Sequence, residues 1–201
     1  MKLKILIILI LLYFGFLQPV LAKSGIYITA ESGWANQTGL PPASNVQATR
    51  IDQSHAPIWR LGLGYLHDFN SIFGLGFEAG GGGYRGTTYC FSSGSKTDTY
   101  SSTMEFLAVL ALHQQPLDYF VKLGALRHTL SGSTLKGNSD TNETKIQPEI
   151  TAGINYNFNE HFALTSEYLH SFGSSMNHFF DQEWQSPSLN AVLVGVKVSF
   201  W

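Results

Sequence analysis

Apolar and polar residues alternate along most of the chain. In residues 190–200 every second position is apolar (Val192, Val194, Val196, Val198 and Phe200). A period of two indicates a β-strand, because successive side chains of a strand point to opposite faces. The same pattern recurs in eight runs: 25–35, 58–69, 72–84, 103–113, 118–129, 147–158, 162–172 and 190–201. Helical spacing is not sustained after residue 22, so the sequence predicts eight strands and an all-β fold.

The connections between these runs are alternately short and long. The short ones are residues 70–71, 114–117 and 159–161, and the long ones are residues 36–57, 85–102, 130–146 and 173–189. The long connections are rich in Ser, Thr, Asn, Gly and Pro, as loops are. Strict alternation of this kind is typical of an antiparallel transmembrane β-barrel with short periplasmic turns and long extracellular loops.

The N-terminal residues predict export. Lys2 and Lys4 precede an uncharged apolar stretch, residues 5–17, and Val20-Leu21-Ala22 supplies the small residues of a cleavage site. An apolar stretch of this length is too short for a membrane-spanning helix, which needs about 20 residues. We therefore expect a signal peptide in residues 1–22 and a barrel domain in residues 23–201.

Composition narrows the class of protein. Charged residues make up 13% of the chain, about half of the usual quarter, and there are 20 glycines. The only cysteine, Cys90, has no partner for an internal disulfide. There is no basic patch, so no nucleic-acid partner is expected, and no spacing of residues indicates a cofactor or a metal.

A soluble exported barrel of the lipocalin type is the alternative to a membrane barrel. Its apolar face would point inward around a ligand. The polar face here is crowded with glycine and carries single charges, which suits a narrow interior. Aromatic residues also lie near the strand ends, as in the aromatic girdles of membrane barrels; they are Tyr27, Trp34, Trp59, Tyr65, Tyr119, Tyr156 and Tyr168.

Strand parity places eight charged residues inside the barrel. They are Glu31, Arg60, Glu78, Glu105, Lys122, Glu149, Glu167 and Lys197. An eight-stranded barrel is just wide enough for its own side chains to fill it. We expect these residues to interlock as ion pairs and to plug the lumen, with the surplus carboxylates facing a water, a proton, His113 or His128.

Several stretches resemble one family of membrane proteins. They are Asp118 to Gly124 (DYFVKLG), the glycine-rich residues 74–83, Glu167-Tyr168 and the terminal Phe200. They resemble the OmpA-like and OmpX-like eight-stranded outer-membrane β-barrels, the opacity-type surface proteins of the porin family in Gram-negative bacteria. The terminal alternation is similar to the family's C-terminal assembly signal, here Val194, Val196, Val198, Phe200 and Trp201.

The resemblance implies a location and partners. The chain is expected in the bacterial outer membrane, with its loops extracellular and with membrane lipids and lipopolysaccharide around it. Periplasmic chaperones and the barrel-assembly machinery would deliver it there. The expected role is that of a structural or surface protein whose loops contact host ligands.

A barrel of this size could also serve as a lipid-modifying enzyme or as a narrow channel. Tyr168-Leu169-His170-Ser171 invites comparison with the eight-stranded lipid A deacylases, which use a His and a Ser on a late strand. Adjacent residues of a strand point to opposite faces, so His170 and Ser171 should not share a proton. The sequence therefore favours a surface protein that is not an enzyme.

Overall fold

The computed structural model describes residues 24–38, 48–53, 55–91, 96–132, 141–173 and 188–200. The predicted signal peptide and Trp201 lie outside these residues. The described chain forms nine strands: β1 (Ser24–Thr38), β2 (Ala48–Gln53), β3 (His55–Asp68), β4 (Phe73–Phe91), β5 (Lys96–Gln114), β6 (Leu117–Gly132), β7 (Thr141–Asn157), β8 (Phe162–Ser171) and β9 (Ser188–Phe200).

Eight of these strands close into a barrel. Their order is β4-β3-β1-β9-β8-β7-β6-β5, and β5 returns to pair with β4. Every pairing is antiparallel, including the one between β1 and β9, which runs from Ile26↔Phe200 to Thr38↔Ser188. The predicted eight-stranded antiparallel barrel is confirmed. The short β2 pairs with the far end of β4, from Ala48↔Phe91, and lies outside the ring.

No helix in the described part of the chain is long and apolar enough to cross a membrane.

The apolar face of the sheet points outward. On β3, Trp59, Leu61 and Leu63 are more than half exposed, while Ile58 and Arg60 between and beside them are buried. A water-soluble barrel would have the opposite arrangement, so the lipocalin-type alternative is wrong. An apolar outer band over a polar interior is the arrangement that lipid requires.

One predicted girdle residue is not on the outer face. Six of the seven aromatic residues are exposed, but Tyr27 is only 3% exposed and points into the barrel. Its neighbours Ile26 and Ile28 take the outward positions of β1. A Cβ on Gly64, the partner of Tyr27 in β3, would collide with the tyrosine ring, so glycine at this position makes room for it.

Three short turns connect strands at one end of the barrel, which we call the turn end. Asn70 Oδ1 accepts hydrogen bonds from the backbone N–H groups of Ile72 and Phe73, at 2.8 and 2.7 Å. Asn159 Oδ1 does the same for His161 and Phe162, at 2.8 and 2.9 Å. Such asparagine turns fix tight connections. The third turn is residues 115–116.

At the opposite end, the loop end, three of the predicted long loops contain much strand. Residues 36–57 include β2 and the ends of β1 and β3. The pairing of β4 with β5 continues to Cys90↔Lys96, and that of β6 with β7 to Gly132↔Thr141. The alternation of apolar residues stops earlier than the pairing does. Beyond the lipid, backbone hydrogen bonds are enough to hold a strand in the sheet. Its residues therefore need not alternate between apolar and polar.

Candidate functional site

The lumen is filled in three layers. A cluster of small and apolar residues packs toward the loop end: Ala35, Ala56, Ile58, Tyr84, Leu169, Leu189, Ala191 and Leu193. A second apolar cluster packs toward the turn end: Tyr27, Leu66, Val109 and Ala111. Between them lie the inward-facing charged residues, most of which are less than a tenth exposed.

Arg60 is the centre of the charged layer. Its Nη1 contacts Glu31 Oε2 at 3.1 Å, and its Nη2 donates to Glu78 Oε1 at 2.8 Å. Its Nε donates to Glu105, and its Nη1 also donates to Glu167. These carboxylates come from β1, β4, β5 and β8, on different sides of the barrel. The planar guanidinium presents five N–H donors, which lets one side chain reach all four.

Lys122 of β6 is the second cation of this layer. Its Nζ lies 2.9 Å from Glu78 Oε1 and 3.0 Å from Glu167 Oε2. We call the six residues in direct contact the charge cluster: Glu31, Arg60, Glu78, Glu105, Lys122 and Glu167. All six are less than a tenth exposed, and together they link β1, β3, β4, β5, β6 and β8 across the lumen.

Glycines on the same inner face give the cluster its space. A Cβ on Gly80 would collide with the carboxylate of Glu105, its partner in β5. Glycine in a strand interior often marks such a close approach. The absence of a side chain at Gly80 therefore leaves room for the charge cluster.

Two of the eight predicted lumen residues are not in direct contact with the cluster. Glu149 is buried and accepts a hydrogen bond from Thr151 Oγ1 at 3.1 Å. Lys197 lies with its Nζ 4.3 Å from the centre of the Tyr27 ring. Its partner on β1 is Thr29, whereas Glu31 pairs with Gly195, so Lys197 lies one step closer to the turn end.

The two histidines do not meet the surplus glutamates as expected. His113 lies between Asp68 and Asp118, 3.0 Å from each, at the turn end. The Nε2 of His128 is 3.0 Å from the hydroxyl of Tyr84, toward the loop end. Sequence parity did not single out either aspartate, because both lie at the ends of their apolar runs.

His170 and Ser171 do not form a pair. The Nδ1 of His170 donates to Asn190 Oδ1 at 2.7 Å on the outer side of the barrel. The hydroxyl of Ser171 is buried inside and donates to Gln147 Oε1 at 2.6 Å. The geometry therefore offers this serine no histidine base.

Two cavities lie on the turn side of the charge cluster. An inner cavity of about 20 Å³ is lined by residues that include Thr29, Lys122 and Lys197, and it has room for one water molecule. A larger cavity of about 670 Å³ occupies the turn end, between Asp118, Lys197 and the turns. Among the described residues, no group of three or more His, Cys, Asp or Glu side chains is placed to hold a metal ion.

An apolar outer band, an interior filled around a layer of charged residues, and eight antiparallel strands define an integral membrane β-barrel. The family described as "Outer membrane protein beta-barrel domain" matches residues 7–200, so the chain belongs to this family of the bacterial outer membrane. No sequence among the curated proteins matches the chain.

Solved outer-membrane barrels share the fold. The Neisserial surface protein A is 15% identical, with a TM-score of 0.60, over 89% of this chain and 99% of that one. The attachment invasion locus protein Ail of Yersinia pestis, in complex with the heparin analogue sucrose octasulfate, is 16% identical, with a TM-score of 0.55, over 89% and 99%. OprG of Pseudomonas aeruginosa is 15% identical, with a TM-score of 0.55, over 89% and 97%.

Proposed function

We propose that this protein is a barrel closed to solutes, which presents its loop end at the cell surface and acts there through its loops. The charge cluster carries this proposal. Arg60 joins four strands on different sides of the lumen, and the two apolar clusters lie above and below it.

Passage of a solute would require the cluster to open. Breaking a buried ion pair leaves an uncompensated charge, at a cost of about 3–5 kcal/mol for one partner removed. Here one guanidinium serves four carboxylates, of which only Glu78 and Glu167 also contact Lys122, so its displacement leaves the other two without a cation of the cluster. The resting barrel is therefore expected to conduct nothing.

If the lumen is closed, the two ends of the barrel are the surfaces at which soluble partners can bind. Longer connections lie at the loop end, and loops on a rigid scaffold are where proteins commonly bind partners. Ail, a barrel of the same fold, is named for attachment and was solved with a heparin analogue. This likeness supports a role in contact with host surfaces for the loops of this chain. Lipopolysaccharide around the barrel and delivery by periplasmic chaperones belong to the same proposal.

Planar-bilayer recording tests the closed lumen. The wild type should show no steady conductance, and Arg60→Ala should produce brief leaks because the freed carboxylates repel one another. Arg127→Ala is the matched control, since Arg127 is exposed on the outer face of β6. A large, steady conductance in the wild type would rule the proposal out.

Accessibility on intact cells tests the orientation. An epitope inserted within residues 39–47 should be recognised on whole cells and removed by added protease. The same epitope inserted between Gln115 and Pro116 should be recognised only after lysis. Recognition of the turn insertion alone would reverse the orientation.

Cells that express the protein should also adhere to immobilised host-matrix proteins more than cells that lack it.

A further inference from the structure

Four polar residues form a continuous row on the outer face at the loop end. The register pairs Asn36 of β1 with His55 of β3 on one side and with Asn190 of β9 on the other. Asn190 in turn pairs with His170 of β8. We call His55, Asn36, Asn190 and His170 the polar row. It crosses four neighbouring strands whose outward positions are otherwise mainly apolar.

The polar row is already ordered by hydrogen bonds. Asn190 Oδ1 accepts from the hydroxyl of Tyr168 and from Nδ1 of His170, each at 2.7 Å. The His170 ring packs edge-on against Phe172, with centroids 4.4 Å apart at 90°. These contacts fix the direction in which the Asn190 amide nitrogen and the second ring nitrogen of His170 point.

One atom of the row is buried without a partner. Asn36 Oδ1 is inaccessible to solvent and accepts no hydrogen bond within the described residues. An unsatisfied buried carbonyl is unfavourable unless another molecule supplies a donor. Asn36 and Asn190 are neighbours, so two side-chain amides lie side by side on the outer face, and a small rotation of the Asn36 amide would bring its carbonyl to the surface.

The position of the row shows what kind of molecule can cover it. The next outward residues toward the middle of the barrel are Trp34, Val192 and Tyr168 on the same strands, and Trp34 is 67% exposed. Exposed Trp and Tyr mark the level of the lipid headgroups. A surface at that level, facing away from the lumen, is covered by the headgroup of a lipid.

We propose that the polar row binds the sugar headgroup of a glycolipid in the outer leaflet. Paired side-chain amides can donate to and accept from the hydroxyl and amide groups of an amino sugar, whereas a headgroup that is only a phosphate would call for Lys or Arg, which the row lacks. The exposed indole of Trp34 offers an apolar face beside the sugar. The inference rests on the proposed function, which turns the loop end toward the outer leaflet.

Native mass spectrometry of the purified full-length barrel tests this proposal. The protein is loaded in detergent with equal amounts of bisphosphorylated lipid A and phosphatidic acid, whose headgroup is only a phosphate, and bound lipid is measured after mild activation. The wild type should retain lipid A in preference. The double variant Asn36→Leu/Asn190→Leu should retain about tenfold less, the effect of losing two hydrogen bonds of ordinary strength.

His67 provides a matched control for His170 within the same barrel. His67 stacks edge-on against Phe69 at the turn end much as His170 does against Phe172 at the loop end, with centroids 5.0 Å apart. His170→Leu should weaken lipid A retention and His67→Leu should not. If the double variant fails to fold, Asn190→Asp keeps the acceptor for Tyr168 and His170, removes the amide donor and adds a negative charge, and the change in retention of the anionic comparison lipid measures the effect of that charge. This variant should also lose lipid A.

Each outcome separates the two proposals. Equal retention of phosphatidic acid and lipid A by the wild type, or unchanged lipid A retention in a folded row variant, overturns the glycolipid site. A conducting wild-type barrel that still prefers lipid A overturns the closed lumen and keeps the site. An epitope within residues 39–47 that is recognised only after lysis overturns the orientation, and with it the choice of leaflet.

Discussion

Arg60 is the residue on which the lumen depends most. Replacing it by methionine keeps much of the side-chain volume but removes a cation from four buried carboxylates, two of which have no other cation in the charge cluster. We expect the free energy of unfolding to fall by about 3–5 kcal/mol, the usual cost of an orphaned buried charge. Urea titration of the protein refolded into phospholipid vesicles measures it.

Two further variants are compared with Arg60→Met in the same urea titration. Arg60→Lys restores the charge but not the planar fork, so its loss should be intermediate. Arg127→Met, on the lipid-facing side between Met104 and Ile146, should leave the stability unchanged or raise it, because it removes a charge from the outer face. An Arg60→Met variant that unfolds at the wild-type urea concentration would mean that the carboxylates do not need the guanidinium.

Gly64 and Tyr27 should behave as a coupled pair. Gly64→Ala places a methyl group against the Tyr27 ring and should destabilise the barrel by about 1–3 kcal/mol, as overpacked cores do. In a Tyr27→Ala background the same change should cost far less, because the obstacle is gone. A double-mutant cycle in the urea assay measures the difference. Additive losses would show that the ring moves aside freely.

Residue parity was readable from the sequence, but pairing was not. Alternation alone put Glu31, Arg60 and Lys122 on the inner face. Which carboxylate meets which cation depends on the relative shift of strands that lie far apart in the chain. Lys197 is an example. Parity predicts that its side chain faces the lumen, but its height along the barrel, beside Tyr27 and not beside Glu31, depends on the register of β9 against β1.

At the level of the strand, β9 has one lipid face and one lumen face. Phe200 is 54% exposed and Ser199 is 6% exposed, beside the turn-end cavity. Phe200→Lys should therefore impair assembly more than Ser199→Lys. A lipid-facing charge near the interface costs only about 0–1 kcal/mol, so we expect most of the effect to come from loss of the predicted C-terminal assembly signal. The folded fraction in isolated outer membranes measures both variants, and equal fractions would contradict the assignment of faces.

Sequence predicted the strands well where they face lipid and poorly beyond it. The turns at residues 70–71 and 159–161 were placed correctly because asparagine and short spacing identify them. The outer parts of β4 to β7 were predicted as loops. They lie beyond the lipid, where neither face of a strand has to be apolar. Backbone hydrogen bonds do not require particular residue types, so the sequence does not reveal these pairings. The polar row was missed for a related reason, since its members become neighbours only when β3, β1, β9 and β8 are set side by side.

For the whole molecule, a closed ring of hydrogen bonds should resist detergent. Each strand in the barrel is paired on both sides, so no edge is open to unfolding. Unboiled protein should migrate differently from boiled protein on a detergent gel. The Arg60→Met variant should convert to the boiled form at a lower temperature than Arg127→Met. Identical mobility before and after heating, under gentle extraction, would contradict a closed barrel.

The seam between β1 and β9 also sets the order of events during assembly. It joins Ile26 to Phe200, so the pairing with the greatest sequence separation is the one that closes the ring. Until β9 pairs with β1, one edge of β1 has no partner strand, and no earlier folding intermediate can cover that edge. Folding with such distant contacts is slow, and open strand edges aggregate. The chain therefore needs something to shield that edge for the whole interval between its export and the arrival of its final strand.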